Sequence, residues 1–85
     1  MIEITEIRIK KIKTNNRIVA LATITINNSI VINDIKVLKG ENGLFIAMPS
    51  RRTPNGEFRD IAYPINRETR QLIQNAIIEE YNKID

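Results

Sequence analysis

Ile18-Val19-Ala20-Leu21-Ala22-Thr23-Ile24-Thr25-Ile26 reads as a strand from the middle of a sheet. Side chains alternate along a strand, so Ile18, Ala20, Ala22, Ile24 and Ile26 share one face and Val19, Leu21, Thr23 and Thr25 share the other. Few polar residues interrupt either face, which is the pattern of a strand covered on both sides. Everything else in the fold is placed relative to this segment.

Upstream, residues 2–12 carry Ile2, Ile4, Ile7, Ile9 and Ile12. Their parity flips between Ile4 and Ile7 and again between Ile9 and Ile12. A regular strand cannot keep all five on one face, so either bulges re-aim the chain or both faces are partly covered. Lys13-Thr14-Asn15-Asn16-Arg17 reads as the hairpin turn into the central strand, because asparagine tolerates positive φ. Downstream, Asn27-Asn28 is a second turn. Residues 30–38 form a third strand with a parity break at Asn33-Asp34. Lys39–Gly43 is a loop, and Leu44–Met48 a short apolar strand stopped by Pro49, which has no N–H for a ladder.

Pro54-Asn55-Gly56 is a turn with a mechanism: proline fixes φ and Asn-Gly accepts left-handed geometry. Glu57 to Tyr63 reads as a further strand, ended by Pro64. Asn66 is placed to cap a helix over residues 67–83, with Glu68 facing the positive end of its dipole. Ile73, Ala76, Ile77, Tyr81 and Ile84 form its apolar stripe; Leu72 borders the stripe and Ile78 lies off it. The order of elements predicts an α+β fold: an antiparallel sheet of about four to five strands followed by one C-terminal helix.

Eighty-five residues make one domain, 1–85. A core of this size is marginal, so self-association is expected to add buried area. The chain has no cysteine and no histidine. That removes disulfides, thiolate nucleophiles, the usual zinc ligands, and every Ser-His-Asp or Cys-His arrangement. Asp34, Glu57 and Asp60 are the carboxylates worth considering for catalysis, and they lack a partner base, a Gly-rich cradle or a metal-ligand spacing. No enzymatic role, cofactor or metal is expected. No secretory or membrane-spanning segment is legible, so a cytoplasmic protein that does not engage a membrane is expected. Net charge is +3, with 13 basic and 10 acidic side chains. That is a mild bias towards anionic partners.

Ser50-Arg51-Arg52-Thr53 sets two arginines and two hydroxyls beside the stiff turn, and Arg59 follows it. A guanidinium fork matches phosphate oxygens, and an ordered turn costs little entropy to hold. Phe58 and Tyr63 offer surface on which a base can stack. A plainer reading also stands: Phe58 and Ile61 as core, Arg59 paired with a neighbouring carboxylate, Arg51 and Arg52 as a solvated tip. Arg8, Lys10, Lys11, Lys13 and Arg17 suit either a phosphate backbone or a lysine-guarded edge strand. Arg67 and Arg70 lie on one side of the first helical turns, an unfavourable place for cations by the dipole alone.

Met48-Pro49-Ser50-Arg51-Arg52-Thr53-Pro54-Asn55-Gly56-Glu57-Phe58-Arg59-Asp60-Ile61-Ala62-Tyr63-Pro64-Ile65, with the opening EIRIKKIK and the stretch GLFIAMPS, resembles the signature of the SpoVG (stage V sporulation protein G) family. The resemblance covers nearly the whole chain. It implies an antiparallel sheet with a C-terminal helix, a homodimer joined through sheet strands, and site-selective DNA- and RNA-binding regulation linked to sporulation and asymmetric septum formation. It places binding on Arg51, Arg52, Arg59, Arg67 and Arg70, to which the local reading adds Thr53, Lys10 and Lys11. Many members continue past the helix into a polar, acidic tail, and this chain departs from them there. The competing expectation is a protein-interaction module of the septation machinery that recruits a division protein by strand addition, without nucleic acid.

Overall fold

The computed structural model describes residues 2–13 and 17–84. The expected turn at Thr14, Asn15 and Asn16 lies outside the described residues. Strands β1 (Ile4–Lys11), β2 (Ile18–Ile26), β3 (Ile30–Gly40) and β4 (Gly43–Ala47) form one antiparallel sheet in the order β1-β2-β3-β4. β5 (Ser50–Arg52) and β6 (Phe58–Asp60) pair as a separate two-stranded sheet, and helix α1 (Arg67–Asn82) follows. The fold is α+β, as expected, and β2 is central.

Three irregularities interrupt the register, and two of them account for the parity breaks at Ile4–Ile7 and at Asn33-Asp34. Ile4 pairs with Ile26 and Glu6 with Thr25, so Thr5 is an extra residue and Ile4, Ile7 and Ile9 all reach the core. Ala22 pairs with Ile35 and Ile24 with Ile32, which sets Asn33 and Asp34 against Thr23 alone. Asp34 takes φ 62°, a conformation that short polar residues tolerate best. The third was not expected. Ile18 pairs with Leu38 and Ala20 with Val37, so Val19 is the extra residue. The uninterrupted face read from Ile18 to Ile26 is therefore broken, and Val19 joins the side chains packed on the core. Asn27 and Asn28, at φ 52° and 53°, make the two central residues of a turn closed by Ser29 N–H to Ile26 O at 2.9 Å.

The core is one layer between the sheet and α1. It contains Ala20, Ala22 and Ile24 from β2, Ile35 and Val37 from β3, Ile46 and Met48 at β4, and Ile73 and Ile77 from the helix. Asn66 caps the helix, its Oδ1 accepting from Thr69 N–H at 2.8 Å. At the other end Lys11 Nζ donates to Ile84 O at 2.8 Å and stands 4.9 Å from the centre of the Tyr81 ring. The last turn of α1 has no cation of its own, and β1 supplies one. The outer edge of β4 is closed by the helix: Gln74 Oε1 accepts from Ile46 N–H at 3.4 Å and Arg70 Nη2 approaches Ile46 O at 3.5 Å.

Candidate nucleic-acid interface

The segment after Pro49 leaves the main sheet and builds its own hairpin. Arg51 and Arg52 were expected in a loop and stand instead in β5. The strand expected from Glu57 to Tyr63 is confined to Phe58–Asp60. Symmetry about Asn55 is the reason: Ser50 pairs with Asp60, Arg51 with Arg59 and Arg52 with Phe58. Gly56 N–H bonds Thr53 O at 2.9 Å and Thr53 N–H bonds Glu57 O at 2.7 Å. With Gly56 at φ 84°, this is a three-residue loop closed by a bulge. Pro54 presets the turn and Gly56 supplies the left-handed residue. Ile61 N–H to Pro49 O, at 2.7 Å, closes the base. Beyond it the chain runs without regular structure to Asn66.

Every residue of both strands is exposed. One face of the ribbon presents Arg51 and Arg59. They are directly opposite, and the bonds at Thr53–Glu57 and Pro49–Ile61 put them at a hydrogen-bonded position, with Cα atoms about 5.5 Å apart. Among the described residues neither makes an ion pair, although Glu57 and Asp60 are near in sequence. Like charges facing each other across strands are unfavourable, and among the described residues no carboxylate pairs with either. The other face carries Ser50, Arg52, Phe58 and Asp60. The Arg52 guanidinium folds over the turn, 3.7 Å from where a Cβ on Gly56 would lie. Thr53 Oγ1 is buried without a hydrogen-bond partner, so this hydroxyl turns inward.

The remaining expected residues divide into separate groups. Arg67 is exposed in the first turn of α1, and Arg70 reaches back to Ile46, three residues before Pro49. Both lie on the side of the molecule where the hairpin joins. Lys10 and Lys11 do not. Adjacent strand residues face opposite ways. Both are exposed, and Lys11 lies on the side from which it reaches the helix C-terminus. The 16-residue helix spans about 24 Å, and Lys11 sits at its far end from the hairpin. What the sequence reading missed is the Arg51–Arg59 pairing itself; its signal was the equal spacing of the two arginines about Asn55.

Apolar surface surrounds the arginines. Phe58 is 73% exposed, Ile61 63%, Tyr63 59% and Ile65 89%. The plainer reading of Phe58 and Ile61 as core is therefore overturned. Phe58, Arg59, Asp60 and Tyr63 line an open cleft of about 500 Å³. Among the described residues no group of three or more acidic side chains is placed to hold a metal, and no helix is long and apolar enough to cross a membrane.

Comparison with known proteins identifies the family. The profile of the SpoVG family matches residues 2–83. A protein of Clostridium perfringens is 57% identical over 81 residues, covering 95% of this chain and 90% of the relative. One of Clostridium novyi is 56% identical, covering 96% and 82%, and one of Caldicellulosiruptor bescii is 52% identical, covering 96% and 93%. Each of the three carries the name "Putative septation protein SpoVG". A profile match across nearly every residue, with identity above half in each of these relatives, leaves no doubt of kinship: the chain belongs to the SpoVG family.

Proposed function

We propose that this protein is a DNA- or RNA-binding regulator linked to sporulation and septation, acting in the cytoplasm as a homodimer. The observation that carries the reading is the Arg51–Arg59 pair on an exposed ribbon. Two guanidiniums without an internal counter-ion are held by a preformed turn, and a polyanion meets both at little ordering cost. Arg52 adds a third charge at the tip, and Arg67 and Arg70 extend the basic surface towards the helix. The names of the relatives supply the link to septation. With neither histidine nor cysteine, the site suits holding a partner rather than transforming it.

Self-association follows from the apolar surface. An isolated hairpin is marginal in water, and this one leaves Ile61 and Ile65 uncovered beside an apolar groove of about 560 Å³ lined by Ile2, Met48, Pro64 and Ile73. Gln74 and Arg70 occupy the edge of β4 at Ile46, and β1 and the outer edge of β5 are open. Two copies joined through β1 or β5 would set two arginine ribbons on one assembly and raise effective concentration at the nucleic acid. The same open edges also favour a second reading, in which a division protein adds a strand to the hairpin.

Binding to labelled oligonucleotides across a salt series tests the proposal. Affinity falling steeply with salt is expected, and the folded Arg51→Ala/Arg52→Ala variant binds more weakly. Affinity indifferent to salt, or an unaltered double variant, overturns it; capture of a division protein that survives nuclease treatment favours the second reading.

A further inference from the structure

We infer that the outer edge of β6 is a nucleobase site that selects unpaired over paired nucleic acid, with Phe58 and Tyr63 as the stacking surfaces. This rests on the nucleic-acid reading above and adds a contact that the arginines cannot make. The cleft lies along the free edge of the ribbon. Because Glu57 and Ile61 turn their backbone groups towards β5, the alternation of an antiparallel ladder turns those of Phe58 and Asp60 outward. Those outward N–H and C=O groups have no partner among the described residues. The cleft therefore combines two aromatic side chains, backbone donors and acceptors, one carboxylate and the Arg59 guanidinium within about 500 Å³.

That combination fits a nucleotide, with the aromatic rings suited to its base and Arg59 to the phosphate beside it. Asp60 offsets the charge of Arg59 within the cleft, and its oxygens accept from exocyclic amino groups of a base. Phe58, 73% exposed, and Tyr63, 59% exposed, both line the cleft and leave most of their ring surface uncovered. Arg59, which borders the cleft, and Arg51 opposite it hold the backbone of the same strand. A base inside a duplex has no free ring face to offer, so the site favours single strands.

The test is fluorescence anisotropy of the full chain with mixed-sequence single-stranded DNA, the matching RNA and the DNA duplex, each across a salt series. Stacking on an aromatic contributes about 1–3 kcal/mol per base, so Phe58→Ala is expected to weaken single-strand binding about 5- to 150-fold, and Tyr63→Ala likewise. Phe58→Trp restores it. Because no phosphate contact is lost, the dependence of log K on log salt keeps its slope. DNA and RNA share the base and differ at the 2′-OH, so the larger loss shows which sugar the site accepts. Single-strand binding that is unchanged in folded Phe58→Ala and Tyr63→Ala overturns the inference. So does a preference for duplex, or a loss that light scattering traces wholly to dissociation of a dimer. Wild-type protein that binds none of the three probes removes the nucleic-acid reading as well, whereas wild-type binding with indifferent variants removes this inference alone.

Discussion

Arg51→Ala separates function from stability in a direction that is uncommon for a structured residue. In the native hairpin the Arg51 and Arg59 side chains start from Cα atoms about 5.5 Å apart. Two unit charges about 6 Å apart repel by about 0.7 kcal/mol in water, in line with the 0.2–1 kcal/mol range for cross-strand pairs, and physiological salt screens part of that. Removing one guanidinium relieves the repulsion and deletes no ion pair. The melting temperature is therefore expected to hold or to rise by up to about 3 °C, given about 4–8 °C per kcal/mol for a domain this small. Affinity moves the other way. Losing a charged hydrogen bond to phosphate costs about 1.5–3 kcal/mol, or about 10- to 150-fold in Kd. The slope of log K against log salt falls by about 0.7 for a single strand, and by about twice that in Arg51→Ala/Arg59→Ala. Thermal melts and anisotropy on the same samples measure both quantities. A variant that melts more than about 5 °C lower while binding as before would show the arginines to be structural, and the reasoning would fail.

Lys11→Ala is expected to lower stability by about 1–2 kcal/mol, because it removes both the bond to Ile84 O and the cation over Tyr81; Lys10→Ala, on the exposed side of the same strand, leaves the denaturation midpoint within error. Ile77→Ala, at 0% exposure in the centre of the sheet–helix layer, should cost about 2–5 kcal/mol and show as a large fall in denaturant midpoint. Gly56→Ala forces a side chain into φ 84° and should cost about 1 kcal/mol locally, read as faster amide exchange in residues 50–60 with little change in the global melt.

Much of the fold was legible because it is local. The β2 segment announced itself by its lack of polar interruption, Asn66 by its place before a 3.6-residue pattern, and the irregularity at Asn33–Asp34 by a break of parity. The Val19 bulge was not legible: valine is an ordinary strand residue, and the slip shows only against its partners Leu38 and Val37. The arginine hairpin was half legible. Pro54-Asn55-Gly56 fixed the turn, but Ser50-Arg51-Arg52 has no apolar alternation to mark a strand, so pairing across the turn went unseen. Lys11 illustrates the limit of reading charge along a chain. Its neighbour Lys10 is exposed as expected, while Lys11 closes a helix 73 residues away. Arg70 likewise looked like part of a binding surface and also guards the edge of β4.

The most direct test of the central claim is a residue-resolved NMR titration of the protein with a short single-stranded oligonucleotide at low salt. Amide shifts are expected to concentrate in residues 49–66 and in the first turn of α1, with Lys11, Tyr81 and Ile84 unmoved. Shifts confined to β1 and the C-terminal end of the helix, or saturable binding that leaves the hairpin amides in place, would contradict it.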